Sequence, residues 1–214
     1  MPPRPQARLP TRLYLITPPV KDARRFAADL ATALDAGGFA AVLLNFADEQ
    51  EAEPAEAVAA LVPLVQGRGI ALLVDGSTEL AARLKADGAH LTGVEALQRA
   101  IPRLKPQRIA GAGGLKTRHD AMLAGESGAD YVMFGEPDAA GGRPPFPAIV
   151  ERIAWWAELF ELPCVGYAAN FEELGALAAA GADFVAVRNL VWDGNVVAAV
   201  KRAAAAVEPV KGVE

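Results

Sequence analysis

A chain of 214 residues, 52% hydrophobic, has material for one large core and fits a single α/β domain. Its net charge of −5 excludes the basic face of a dedicated nucleic-acid binder, and no run approaches the roughly 18 apolar residues that a membrane span requires. A single cysteine, Cys164, rules out an internal disulfide and fits a reducing, cytoplasmic setting.

In chain order, residues 1–12 carry Pro2, Pro3, Pro5 and Pro10 with three arginines and no apolar signal core, so they read as a flexible lead-in to one domain over 13–214. Eight short apolar runs then read as buried strands: Leu13 to Thr17, Ala40 to Asn45, Ala71 to Asp75, Gly88 to Leu91, Arg108 to Gly111, Tyr131 to Gly135, Cys164 to Tyr167 and Phe184 to Arg188. Helical patterns separate them. Ala23 to Ala36 shows an apolar stripe at Phe26, Leu30 and Leu34. The others are Ala55 to Gln66, Thr78 to Ala86, Val94 to Leu104, Arg118 to Ser127, Pro147 to Phe160, Phe171 to Ala180 and Val196 to Val207. Pro54 and Pro147 suit first turns, and Gly37, Gly125, Gly128 and Gly181 suit helix stops.

One phrase recurs along the chain. Gly128-Ala129-Asp130-Tyr131-Val132-Met133-Phe134 returns as Gly181-Ala182-Asp183-Phe184-Val185-Ala186-Val187, with a weaker copy at Ala86-Asp87-Gly88-Ala89-His90-Leu91. Each copy hands a helix over to a strand. Strict alternation predicts a (β/α)8 TIM barrel, with an open doubly wound sheet as the rival. A barrel puts its chemistry at the carboxyl ends of its strands. Glu136 to Pro147, rich in Gly and Pro, follows strand six and reads equally as a mobile lid or a solvated spacer.

The strand ends therefore supply the candidates. Asp75 suits a base or a Mg²⁺ ligand, or else a helix N-cap, a task for which Ser77 competes. His90 suits a proton shuttle or an interior hydrogen bond. Glu95 suits a second carboxylate near Asp75 or a first-turn acid. Gly113 and Gly114 suit an anion cradle or a tight turn. Arg188 with Asn189 suits a phosphate site, or Arg188 lies outward over apolar surface. Arg143 could reach an anion from its loop. No Gly-x-Ser-x-Gly elbow is present and Cys164 lacks an evident histidine partner, which argues against covalent catalysis.

The strand-one sequence Leu13-Tyr14-Leu15-Ile16-Thr17, the His90-Leu91 pair and the two full copies of the repeated phrase resemble thiamine phosphate synthase and its thiazole tautomerase relatives. The resemblance runs from about Leu13 to Val207. It implies a transferase of thiamine biosynthesis that joins an aminopyrimidine diphosphate to a thiazole phosphate, with Mg²⁺ and basic groups stabilising the departing pyrophosphate. It also implies a small phosphorylated heterocyclic substrate, no nucleic-acid or membrane partner, and allows a homodimer.

Carried over residue by residue, the match is partial. The family's strand-two Gln-x-Arg-x-Lys falls on Leu43, Asn45 and Ala47, and its strand-three Asn-Asp on Asp75-Gly76. Its Gly-Gln-x-Asp after the His-Leu becomes Thr92-Gly93-Val94-Glu95, leaving Asp75 and Glu95 as the implied metal ligands. The strand-five Ser falls on Gly113 and the tautomerase histidine near Leu115. The Thr-x-Thr-Lys phosphate loop is replaced, with Ala139-Ala140-Gly141-Gly142-Arg143 nearby. The strand-seven Gly-Gly becomes Ala168-Ala169, followed by Asn170, and the strand-eight Ser becomes Asn189. Each lost stabilising group costs on the order of 10²–10³ in rate, so the family reaction is expected to be weak or changed unless Arg143, Lys116 or Arg188 compensates. The rivals are a non-catalytic barrel that binds a phosphorylated small molecule, and an isomerase or lyase that uses Asp75 and His90.

Overall fold

The computed structural model describes residues 9–46 and 58–208. Eight strands are present: β1 Arg12–Ile16, β2 Phe39–Leu44, β3 Ala71–Asp75, β4 Gly88–Thr92, β5 Ile109–Gly113, β6 Tyr131–Phe134, β7 Cys164–Tyr167 and β8 Phe184–Val187. Each pairs in parallel with the next, and β8 closes on β1, so the barrel is complete and the open-sheet rival falls. Among the described residues the helices are α1 Ala23–Ala36, α2 Val62–Gln66, α3 Thr78–Leu84, α4 Val94–Leu104, α5 Arg118–Glu126, α6 Phe146–Leu159, α7 Phe171–Ala179, α8 Asn189–Trp192 and α9 Val196–Val207. None is long and apolar enough to cross a membrane.

Strand five runs two residues further than its apolar run suggested, because Gly111 to Gly113 pair with β4 although they carry almost no side chain. Gly125 lies inside α5 rather than at its end. The short α8 was not expected. Most of the lead-in, and the first residues of the helix expected over Ala55 to Gln66 with Pro54, lie outside the described residues.

The period-two pattern sorts the strands into two cores. Leu13, Leu15, Val42, Leu44, Leu72 and Val74 face outward onto the helices, whereas Tyr14, Ile16, Ala41, Leu43, Leu73, Tyr131, Met133, Val165, Tyr167 and Ala186 fill the lumen. Asp75 continues the inward series of Leu73, and Arg188 that of Ala186. Ala41 and Ala71 are small for a barrel's inner layer. They leave a cavity of about 310 Å³ at the amino end, under Tyr14 and Tyr131.

The repeated phrase has a physical basis. Asp87, Asp130 and Asp183 each accept, through a carboxylate oxygen, the backbone N–H of the first or second residue of the preceding strand: Leu72 (2.7 Å), Ala110 (2.7 Å) and Cys164 (2.8 Å). Their own amides donate back to the same three residues. The two full copies share a glycine at φ +97°, Gly128 and Gly181, a conformation that a side chain strains. The phrase thus stitches neighbouring strands together at the end opposite the site.

Candidate active site

At the carboxyl ends of β3 and β4, Asp75 stands in register with His90, and His90 with Gly111 on β5. Ser77, not Asp75, caps α3 by accepting from the Leu80 amide, so the Asp75 carboxylate is free for other work. Burial raises the Asp75 pKa above its ordinary 3.8, and the Glu136 charge adds to this, against the pull of His90 and Arg188.

His90 is 3% exposed. Its Nδ1 lies 2.9 Å from Tyr131 Oη, and that hydroxyl lies 2.8 Å from Tyr14 Oη. The imidazole also stacks on the Tyr131 ring, with centroids 5.7 Å apart. Burial holds both phenols well above their ordinary pKa, so they act as neutral relays rather than as bases. With His90 neutral, Tyr14 can donate to Tyr131 and Tyr131 to Nδ1. With His90 charged, Nδ1–H donates and the Tyr131 hydroxyl turns toward Tyr14. Gly111 makes this possible, because a Cβ there would run into the Tyr131 ring and hydroxyl.

The other ring nitrogen, Nε2, lies 3.7 Å from Glu136 Oε1, an ion-pair distance rather than a full hydrogen bond. Burial opposes charge on His90, but Glu136 and Asp75 outweigh it and raise the pKa above 6.5. The fold therefore favours protonated His90. That contribution to stability is fully present below the unfolded-state pKa near 6.5 and is lost as pH rises through the folded value. The stability difference between wild type and His90→Gln should accordingly shrink as pH climbs from 6 to 9, measured by urea unfolding at each pH. A flat or growing difference would contradict the assignment.

Glu136, with Gly135, stands at the end of strand six, where the strand-end rule points to it as it does to Asp75, although the sequence alone assigns it no role. Its Oε1 accepts the Gly114 amide at 2.6 Å. The glycine turn expected to cradle an anion therefore holds the chain's own carboxylate. Glu136 Oε2 and Arg188 Nε are buried without a hydrogen-bond partner. The Arg188 charge acts on Asp75 and Tyr167, which places it toward the mouth rather than outward.

Other expected binding groups are committed elsewhere. The Arg143 guanidinium, expected to reach an anion, ion-pairs with Glu173 at 3.0 Å and donates to the carbonyls of Gly135 (3.1 Å) and Tyr167 (3.2 Å). Asn170 caps α7 by accepting from the Glu173 amide. The Ala169 amide donates to Glu173 Oε2 and the Ala168 amide to Ala186, so neither is open to a phosphate. The backbone N–H of Asn45 donates to Thr17 Oγ1. Asn189 is exposed and opens α8, and Lys116 and His119 are exposed beyond β5.

The Asp75–Glu95 pair does not fit a magnesium site. Magnesium favours near-octahedral oxygen ligation, but the Glu95 side chain is 90% exposed and lies 3.6 Å from Arg99. Among the described residues no group of three or more His, Cys, Asp and Glu side chains gathers for a metal. Asp75 instead shares its surroundings with His90, the Glu136 carboxylate and Arg188.

The chain matches the family model for thiamine monophosphate synthase over residues 13–191. A thiamine-phosphate synthase of Rhodospirillum centenum is 42% identical over 190 residues, covering 85% of this chain and 89% of that protein. One from Hyphomonas neptunium is 36% identical, covering 88% and 89%. The structure of a thiamine phosphate pyrophosphorylase from Pyrococcus furiosus superposes with a TM-score of 0.71 over 92% of this chain and 95% of that one, at 21% identity.

Proposed function

Since the chain belongs to the thiamine monophosphate synthase family, a family of transferases in thiamine biosynthesis, and is thiamine-phosphate-synthase-like, we propose that it keeps the family's class of ligand, a small phosphorylated heterocycle, runs the family's condensation only weakly, and moves protons on that ligand through His90 and Asp75. The observation that carries this reading is the buried chain from His90 through Tyr131 to Tyr14, with Asp75 beside it. Such a chain sets the imidazole's orientation and lets the His90 proton be exchanged without burying a new charge. Asp75, with its pKa raised toward working pH, serves as the second proton-transfer group. Arg188 takes the phosphate, for which its unpartnered Nε is suited.

Electrostatics weaken the family's own step at this mouth. A departing pyrophosphate needs several cations, and here Glu136 occupies the glycine turn while Arg143 is neutralised by Glu173. Losing two or more such groups at 10²–10³ each outweighs what one arginine returns. Magnesium is no part of this reading.

The test incubates the protein in D₂O with thiazole monophosphate and with aminopyrimidine monophosphate and follows ring or side-chain deuteration by NMR. Wash-in is expected for one of them. It should fall about 10²–10⁴-fold in His90→Gln, and Arg188→Gln should raise KM more than it lowers kcat. Condensation of aminopyrimidine diphosphate with thiazole phosphate at ordinary enzymatic rates, together with rescue of a thiamine auxotroph, would overturn the reading.

A further inference from the structure

Two local features build the cavity of about 310 Å³ at the amino end of the barrel. The register between β1 and β2 shifts there: Leu13 pairs with Phe39 but Tyr14 with Ala41, so Ala40 is an extra residue in β2. Such bulges at a barrel rim re-aim side chains, and Ala40 and Ala41 both line the cavity. Ala71, the partner of Ala41 on β3, is equally small, while Ile109 and Phe184 supply larger apolar walls. The hydrogen-bonded Tyr14–Tyr131 pair stands between this space and His90. The cavity is therefore a compartment of its own rather than the floor of the mouth.

Its charged rim is one-sided. Asp130 is committed through both carboxylate oxygens, one to the Ala110 N–H at 2.7 Å and the other to Lys105. Arg12 is not committed in this way. It stands in register with Phe184 and, by strand alternation, on the inward side with Tyr14 and Ile16. Its guanidinium donates to the Phe39 carbonyl at 3.3 Å and has no carboxylate partner among the described residues. A guanidinium at the edge of an apolar chamber suits a planar anion, which it can meet with two parallel N–H bonds.

We propose that this cavity is a second binding site, separate from the mouth, for a small aromatic carboxylate whose ring lies among Ala41, Ala71, Ile109 and Phe184 and whose carboxylate meets Arg12. Volume sets the size of the ring. A dry cavity of about 150 Å³ takes benzene, so about 310 Å³ accommodates a bicyclic ring. Charge sets the head group. One guanidinium balances one carboxylate, and Asp130 on the same rim disfavours a doubly charged phosphate. The proposal does not depend on the chemistry assigned to the mouth.

Titration calorimetry of the full-length protein with 2-naphthoate, and with 2-naphthalenemethanol as its neutral counterpart, provides the test. Naphthoate should bind, and the alcohol should bind about threefold to tenfold more weakly, as expected of a charge-assisted contact at an exposed rim. Arg12→Gln should weaken naphthoate by the same factor and leave the alcohol unchanged. Ala71→Leu, which puts an apolar side chain into the chamber, should abolish binding of both, with Tm retained or raised. Nuclear Overhauser contacts from the naphthoate ring to the Ala41, Ala71 and Ile109 methyl groups should locate it. The proposal is overturned by absence of saturable naphthoate binding, by equal affinity for acid and alcohol, by undiminished binding to Ala71→Leu, or by contacts to Tyr167 and the mouth in place of those methyl groups.

Discussion

Arg143→Ala should lower the free energy of unfolding by about 3–5 kcal/mol, the range for removing one partner of a buried ion pair. The Glu173 side chain is 9% exposed and that of Arg143 19%, and both Glu173 oxygens lie 3.0 Å from the Arg143 Nη1. Truncation strands the carboxylate and also leaves the Gly135 and Tyr167 carbonyls without their guanidinium donors. Adding Glu173→Gln should recover a good part of the loss, since a neutral amide needs no counter-charge and can still accept from the Ala169 amide. Urea denaturation of the two variants checks this. A cost below 1 kcal/mol for Arg143→Ala would show that water reaches the pair. The loop that Arg143 fastens begins with Glu136, so the variant should also loosen the carboxylate at the mouth.

Trp156→Ala should cost a similar 3–5 kcal/mol, a large fraction of a typical domain's stability. Trp156 is 1% exposed. Its ring stacks on Phe160 at 4.1 Å between centroids and meets the outward face of β6 edge-on at Phe134. Its indole N–H donates to the Leu162 carbonyl at 2.7 Å, which ties the end of α6 to the turn entering β7. Trp156→Phe keeps most of the apolar contact but leaves that carbonyl without its donor, so it should cost about 1–2 kcal/mol. Equal losses for the two variants in chemical denaturation would show that the hydrogen bond, rather than the packing, dominates.

The barrel was legible because its signals are local. Apolar runs of four to six residues, Ala-rich helices between them and the Gly-Ala-Asp phrase are each contained in a short stretch of chain. The phrase was readable even before its reason was known, which is the paired hydrogen bonding of Asp87, Asp130 and Asp183 to the strand before. Asp75, His90 and Arg188 could be found as polar residues interrupting apolar strands. Their neighbours could not, because those contacts join distant segments: His90 to Tyr131 spans 41 residues and Tyr14 to Tyr131 spans 117. Arg143 shows the converse. As a loop arginine it looked available, and only its pairing with Glu173, 30 residues on, shows that it is spoken for. Glu95 likewise carried the right charge at the right spacing, but the start of α4 turns it to solvent beside Arg99.

The glycine turn that holds Glu136 also bears on how such a mouth can change by single replacements. Glutamate at 136 cannot take its present position while any side chain stands at 113, because the two would occupy the same space. Glycine at 113 with another residue at 136 leaves only an empty niche over the strand. A side chain gained at 113 therefore has to be met by movement or replacement of Glu136, so the two positions are expected to change together.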